Sequence, residues 1–276
     1  MTDQSDPLAR IADSLERLAP VRRAASDWLS HPAYIWAAEG VRPVRELAAL
    51  PLGRLIGIER QKAEVCENLA RHAAGAAAHD LLLWGARGMG KSALLHAAVA
   101  DRQAQDGGER LALVQLDLAG LSALPALFDD IAGVSRRFVL FIDDLAFEQR
   151  DHAALRGLRS ALEGSLEPRP ANVRLAVTTN HRAILARDGR DQAEPLHDRD
   201  MLDDMLALAD RFGLRLGFHP CDREGYLAIA RAHAKPLGLA VDETEALAWS
   251  RRQGQMSGRT AWQYVVELAG RAGRSL

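Results

Sequence analysis

The stretch Gly85-Ala86-Arg87-Gly88-Met89-Gly90-Lys91-Ser92 carries the most specific chemistry in this sequence. A glycine, four residues and then Gly-Lys-Ser is the spacing of a phosphate-binding loop. Glycines admit φ > 0, so successive backbone N–H groups can turn toward one anion. A helix beginning at Lys91 adds its unpaired N–H groups and the positive end of its dipole. Lys91 then reaches the β- and γ-phosphates, and the Ser92 hydroxyl binds Mg²⁺.

A second constellation is assembled from strand ends. Phe138-Val139-Leu140-Phe141-Ile142 is apolar throughout and runs into Asp143-Asp144. Asp143 is placed to hold Mg²⁺ beside the loop, and Asp144 to polarise a water for in-line attack on the γ-phosphate. Glu148, four residues on, is an alternative for the second role. Asn180 closes the next apolar run and can orient the same water. Two arginines complete the set. Arg211, in Asp210-Arg211-Phe212-Gly213, precedes the last strand and is expected to reach a neighbouring subunit's nucleotide. Arg259, in Ser257-Gly258-Arg259, opens the last helix and is expected to fold onto the phosphates.

These positions require particular elements beneath them. Strands are predicted at 81–84, 111–117, 138–144, 173–178 and 214–218, alternating with helices at about 59–71, 91–102, 121–131 and 150–166. Strands apolar on both faces and alternating with helices indicate a parallel sheet covered on both sides. Ligands in such sheets bind beyond the C-terminal strand ends, where the residues above fall. The expected fold is therefore α/β: a three-layer sandwich on a five-stranded parallel sheet. After Pro220 only helices are predicted, at about 222–235, 242–252 and 257–271, with Asp242 and Ser257 as N-caps. The division is residues 1–50 as a helical appendage, 51–220 as the nucleotide-binding domain and 221–276 as a small all-α domain. Within the appendage, Leu8, Ile11, Leu15 and Leu18 share one helical face. Trp28, Tyr34, Ile35 and Trp36 concentrate aromatics for packing onto the main domain, and Pro43 and Pro51 bracket a short helix-like piece.

Composition sets outer limits. At 276 residues the chain can bury a substantial core, with 48% apolar and 26% charged residues. A net charge of −2 gives no global attraction to nucleic acid or acidic membranes. Cys66 and Cys221 lack metal-ligand spacing, and no apolar run approaches membrane-spanning length. A soluble cytoplasmic protein is expected.

From about residue 52 to the end, the chain resembles the AAA+ ATPases. The likeness rests on Leu55-Ile56-Gly57-Ile58, the phosphate loop, Phe138 to Asp144, Asn180, Asp210-Arg211-Phe212-Gly213 and Ser257-Gly258-Arg259. More narrowly it resembles a group of uncharacterised bacterial AAA+ proteins. The resemblance implies ATP with Mg²⁺, adenine held near Ile56-Gly57, Asn180 as sensor 1, Arg211 as a finger acting in trans, Arg259 as sensor 2 on a helical lid, and a homo-oligomer. Two departures qualify it. The usual acidic pair of the family is Asp-Glu, but here it is Asp143-Asp144, as in AAA+ replication initiators and helicase loaders. The region after the second strand, Leu118-Ala119-Gly120-Leu121, lacks the aromatic of a peptide-threading loop. The reading is an ATPase that remodels an unidentified protein or nucleic-acid partner. A low-turnover switch, suggested by Asp143-Asp144, and a DNA-dependent loader, suggested by Arg136-Arg137 and Arg251-Arg252, are the alternatives.

Overall fold

A computed structural model describes residues 27–37, 40–105, 107–117, 119–145, 158, 161–162, 168–180 and 207–275. The appendage helix over Leu8 to Leu18, most of the predicted 150–166 helix and Glu148 lie outside these residues.

The strands are β1 (Ala33–Ala37), β2 (Gly40–Val44), β3 (Leu81–Gly85), β4 (Leu111–Leu116), β5 (Arg137–Ile142), β6 (Val173–Thr179) and β7 (Leu214–Phe218). They form one sheet in the order β2-β1-β4-β5-β6-β3-β7, with β1 and β2 antiparallel to each other and every other pair parallel. The first helices are α1 (Glu59–Ala73), α2 (Lys91–Gln103) and α3 (Leu124–Ala132).

Alternation along β5 shows why the sheet is a central layer. Phe138, Leu140 and Ile142 enter one apolar core, while Val139 and Phe141 enter the core on the opposite face. A strand with period-two side chains and no polar face can only be buried on both sides.

The five expected strands are present, but the sheet has seven. The additional pair comes from residues assigned to a helical appendage. Ala33-Tyr34-Ile35-Trp36-Ala37 places Tyr34 and Trp36 in the core and pairs along β4, Tyr34 opposite Val114. β-branched and aromatic residues at period two favour a strand. Pro43 lies in the edge strand β2, where a missing N–H costs no ladder bond. Residues 45–50 hold no helix, and a single 3₁₀ turn follows at Leu52–Arg54. The sheet unit therefore begins before residue 33, not at 51.

Aromatic packing of this segment onto the main domain is observed. Trp28 lies 4.7 Å from the Tyr34 ring and 5.7 Å from Phe138. Arg136 is buried and donates to the carbonyls of Trp28 (2.9 Å), His31 (2.7 Å) and Leu111 (3.3 Å).

Past β7 run α4 (Arg223–Ala234), α5 (Glu243–Arg252) and α6 (Gly258–Arg271), sharing a core of their own around Tyr226, Ala230, Ala246, Ala261 and Tyr264. Asp222, Asp242 and Ser257 cap the three helices, Ser257 in a reciprocal capping box with Thr260.

Candidate functional site: a phosphate-loop cleft

Strand register brings the chemistry together. Trp84 of β3 pairs with Thr179 of β6 and Gly85 with Phe218 of β7, while Ile142 of β5 pairs with Val177. Residues just past these ends therefore share one rim: the loop after Gly85, the acidic pair after Ile142, and Asn180 after Thr179. Gly85 has φ +119°, and an added Cβ would lie 2.2 Å from the Phe218 carbonyl oxygen. Only glycine allows the loop to leave the sheet this close to β7. Gly90, at φ +88°, turns the chain into α2.

Lys91 is the buried cation of the rim. Its Nζ donates to Gly85 O at 2.9 Å, Ala86 O at 3.0 Å and Asn180 Oδ1 at 2.8 Å. Burial pulls its pKa below the ordinary lysine value; the Asp144 and Asp143 carboxylates oppose that shift and Arg259 adds to it.

Asp143 Oδ1 accepts two hydroxyls, Ser92 Oγ at 2.5 Å and Thr178 Oγ1 at 2.6 Å. Asp144 N–H donates to Thr178 Oγ1 at 2.8 Å, and Leu145 N–H donates to Thr178 O at 2.8 Å. Asn180 Nδ2 donates to Asp144 Oδ1. Lys91, Asn180, Asp144, Thr178, Asp143 and Ser92 are thus linked in one hydrogen-bonded chain whose two ends, Lys91 and Ser92, are neighbours in sequence. Asp144 sits at φ 51°, the sole non-glycine residue with positive φ among the described residues.

Hydroxyl and carboxylate oxygens suit Mg²⁺, which commonly takes one or two protein oxygens and completes its shell with phosphates and water. Ser92 and Asp143 fit that donor set. No group of three or more His, Cys, Asp or Glu able to hold a metal occurs among the described residues.

The rim opens into a cleft of about 300 Å³ between the sheet and the helical bundle. Part of its lining is apolar and aromatic, from Leu55, Ile56, Ile58, Ile229, His233 and Trp262. The His233 ring lies 5.3 Å from Trp262, and its Nδ1 is buried with no hydrogen-bond partner among the described residues. Burial pushes the His233 pKa down, and the charge of Arg54 adds to the shift. The bundle meets the loop directly: Arg259 N–H donates to Gly88 O at 3.1 Å.

A family model described as "Protein of unknown function (DUF815)" matches residues 29–272, nearly the whole chain. The chain belongs to that family. No curated protein matches the DUF815 chain. Among solved structures, it is similar to the Holliday junction branch migration motor RuvB of Thermotoga maritima, at 17% identity and TM-score 0.51, covering 83% of this chain and 68% of RuvB. It is also similar to the Aeropyrum pernix ORC1 protein solved with DNA, at 14% identity and TM-score 0.58, covering 83% of this chain and 66% of that one. The DUF815 chain has the AAA+ P-loop ATPase fold.

Most of the expected site residues meet in the DUF815 cleft. Ile56, Arg87, Gly88, Met89, Gly90, Lys91, Ser92, Asp143, Asp144, Asn180 and Arg259 line it, while Gly85 and Ala86 contribute their carbonyls to Lys91. Gly57 does not line it; its N–H donates to Glu59 Oε1 at 3.1 Å. Arg211 is exposed and lies outside the cleft, before β7. Thr178, His233 and Trp262 were not anticipated. Thr178 has a signal in retrospect, a hydroxyl directly after the aliphatic run Leu175-Ala176-Val177 and two residues before Asn180; His233 and Trp262 have none.

Proposed function

We propose that this chain binds ATP with Mg²⁺ in the cleft and hydrolyses it to ADP and phosphate, using the cycle to remodel a macromolecular partner. The hydrogen-bonded chain linking Lys91, Asn180, Asp144 and Asp143 at the mouth of the phosphate loop carries the reading. Lys91 exchanges its three oxygen acceptors for β- and γ-phosphate oxygens, and the loop N–H groups hold the rest of the phosphate chain. Ser92 and Asp143 would hold Mg²⁺, which supplies neutralisation of charge developing on the phosphate oxygens. Asp144 accepts a hydrogen bond from the attacking water, and the Asn180 amide holds that water in line. Adenine lies toward Ile56, Ile229 and Trp262, where apolar surface favours a purine ring.

The three-helix bundle serves as a lid, with the Arg259 guanidinium on the phosphates. Arg211, outside its own cleft, acts on the nucleotide of an adjacent copy in a homo-oligomer. The remodelled partner is a protein or nucleic acid. No described helix is long and apolar enough to cross a membrane.

Asp144→Asn tests the chemistry. It should leave ATP binding by calorimetry within a few-fold of wild type and lower phosphate release by about 10²–10⁴. Full turnover in that variant would remove Asp144 from the water-activating role. Tight ATP binding by the wild type with negligible phosphate release would favour a nucleotide-dependent switch, the reading that the shorter Asp-Asp pair invites.

A further inference from the structure

We propose that Thr178 is the positioning residue that sets the separate orientations of Asp143 and Asp144. The proposal rests on the ATPase reading above for its consequence, but its geometric content belongs to the protein alone. Thr178 is buried near the end of β6, 1% exposed, directly after Val173-Arg174-Leu175-Ala176-Val177, which offers no hydroxyl, and before Thr179 on the opposite face. Packing alone would be satisfied by valine, which has the same shape. The hydroxyl instead makes one bond in each direction. It donates to Asp143 Oδ1 at 2.6 Å and accepts from Asp144 N–H at 2.8 Å.

Each bond has a distinct effect. Asp143 Oδ1 receives Ser92 and Thr178 together, so two donors on one oxygen fix the rotation of the carboxylate. The bond from Asp144 N–H, with Leu145 N–H on the Thr178 carbonyl, holds the backbone on both sides of Asp144. Asp144 has φ 51°, a conformation costly for a residue with a Cβ, which persists where the surroundings over-determine it. That conformation turns the Asp144 side chain away from Asp143 and toward Asn180, which donates to it. Two adjacent carboxylates thereby take different tasks, one facing Ser92 and one facing Asn180. Groups that orient metal-binding side chains in this way typically affect metal affinity or activity by 10–100-fold.

The test compares Thr178→Val, which keeps the shape, with Thr178→Ser, which keeps the hydroxyl; thermal unfolding monitors the fold, and Thr178→Ala replaces Thr178→Val if the latter does not fold. In the protein alone, amide hydrogen exchange at Asp144 should accelerate in Thr178→Val and not in Thr178→Ser. With ATP, the Mg²⁺ concentration giving half-maximal nucleotide binding, read by calorimetry, should rise about tenfold in Thr178→Val. Its kcat should fall about 10–100-fold with KM little changed, and Thr178→Ser should restore both. Unchanged exchange at Asp144, an unmoved Mg²⁺ midpoint, or equal impairment in the serine variant would each overturn the proposal. If the wild type binds no Mg-ATP, the ATPase reading falls, and the exchange measurement still decides whether Thr178 holds the pair.

Discussion

Two buried basic side chains meet their surroundings in opposite ways. Lys91 keeps three oxygen acceptors around its ammonium, so the charge is retained within reach of the cleft. His72 is buried in α1 and is kept neutral. Its Nε2–H donates to Phe138 O at 3.1 Å, since a carbonyl can only accept. Burial lowers the His72 pKa from 6.5 to about 4, and the nearby charges of Arg174, Arg137 and Arg169 add to that shift. Below pH 6.5 the unfolded chain takes up a proton that the folded chain refuses. Stability from this group is therefore complete above about pH 6.5 and declines as pH falls toward 4, by up to about 3 kcal/mol. Urea unfolding of wild type and His72→Asn across pH 4–7 checks this; the wild type should lose more stability on acidification, and parallel curves would clear His72.

At the scale of elements, the first sheet edge depends on one guanidinium. Arg136, one residue before β5, donates to carbonyls of residues 28, 29 and 31, to Tyr34 Oη and to Leu111 O. Arg136→Met keeps the stem and leaves these acceptors unmatched, so a loss of about 3 kcal/mol is expected in chemical denaturation. Limited proteolysis should then cut before β1 first. A change under 1 kcal/mol would mean that Trp28 and Tyr34 hold the segment without it. The same region marks where sequence reading stops. β3 to β6 are legible because each is a largely buried run with a punctuated end, and the places of Lys91 and Asp143 because contiguous motifs fix them. β1 is only five residues long and its neighbour β2 contains Pro43, so both fall within the stretch that the sequence assigns to a helical appendage. Arg136 reads in sequence as half of a basic pair offered to DNA, but it is buried against carbonyls of residues 28, 29 and 31, which nothing local to it reveals. Thr178 and His233 matter through strand register and helix docking, which a single sequence does not display.

For the whole molecule, the decisive matter is that Arg211 lies outside its own cleft. If it serves an adjacent copy, phosphate release per subunit should rise with protein concentration, and Arg211→Ala should lower it by about 10³ or more. Mixing Arg211→Ala, whose phosphate loop is intact, with Lys91→Ala, whose Arg211 is intact, should recover part of the activity. No recovery would assign Arg211 to its own chain or to surface structure. The contact between loop and bundle bears on how such an assembly communicates. Gly88 and Gly258 meet almost at their main chains, and a Cβ on Gly258 would stand 3.1 Å from Gly88 O. From the other side, a Cβ on Gly88 would stand 2.9 Å from Ser257 Oγ and 3.2 Å from Arg259 Cβ. A displacement of the loop at Gly88 would therefore press directly on the first turn of the last helix.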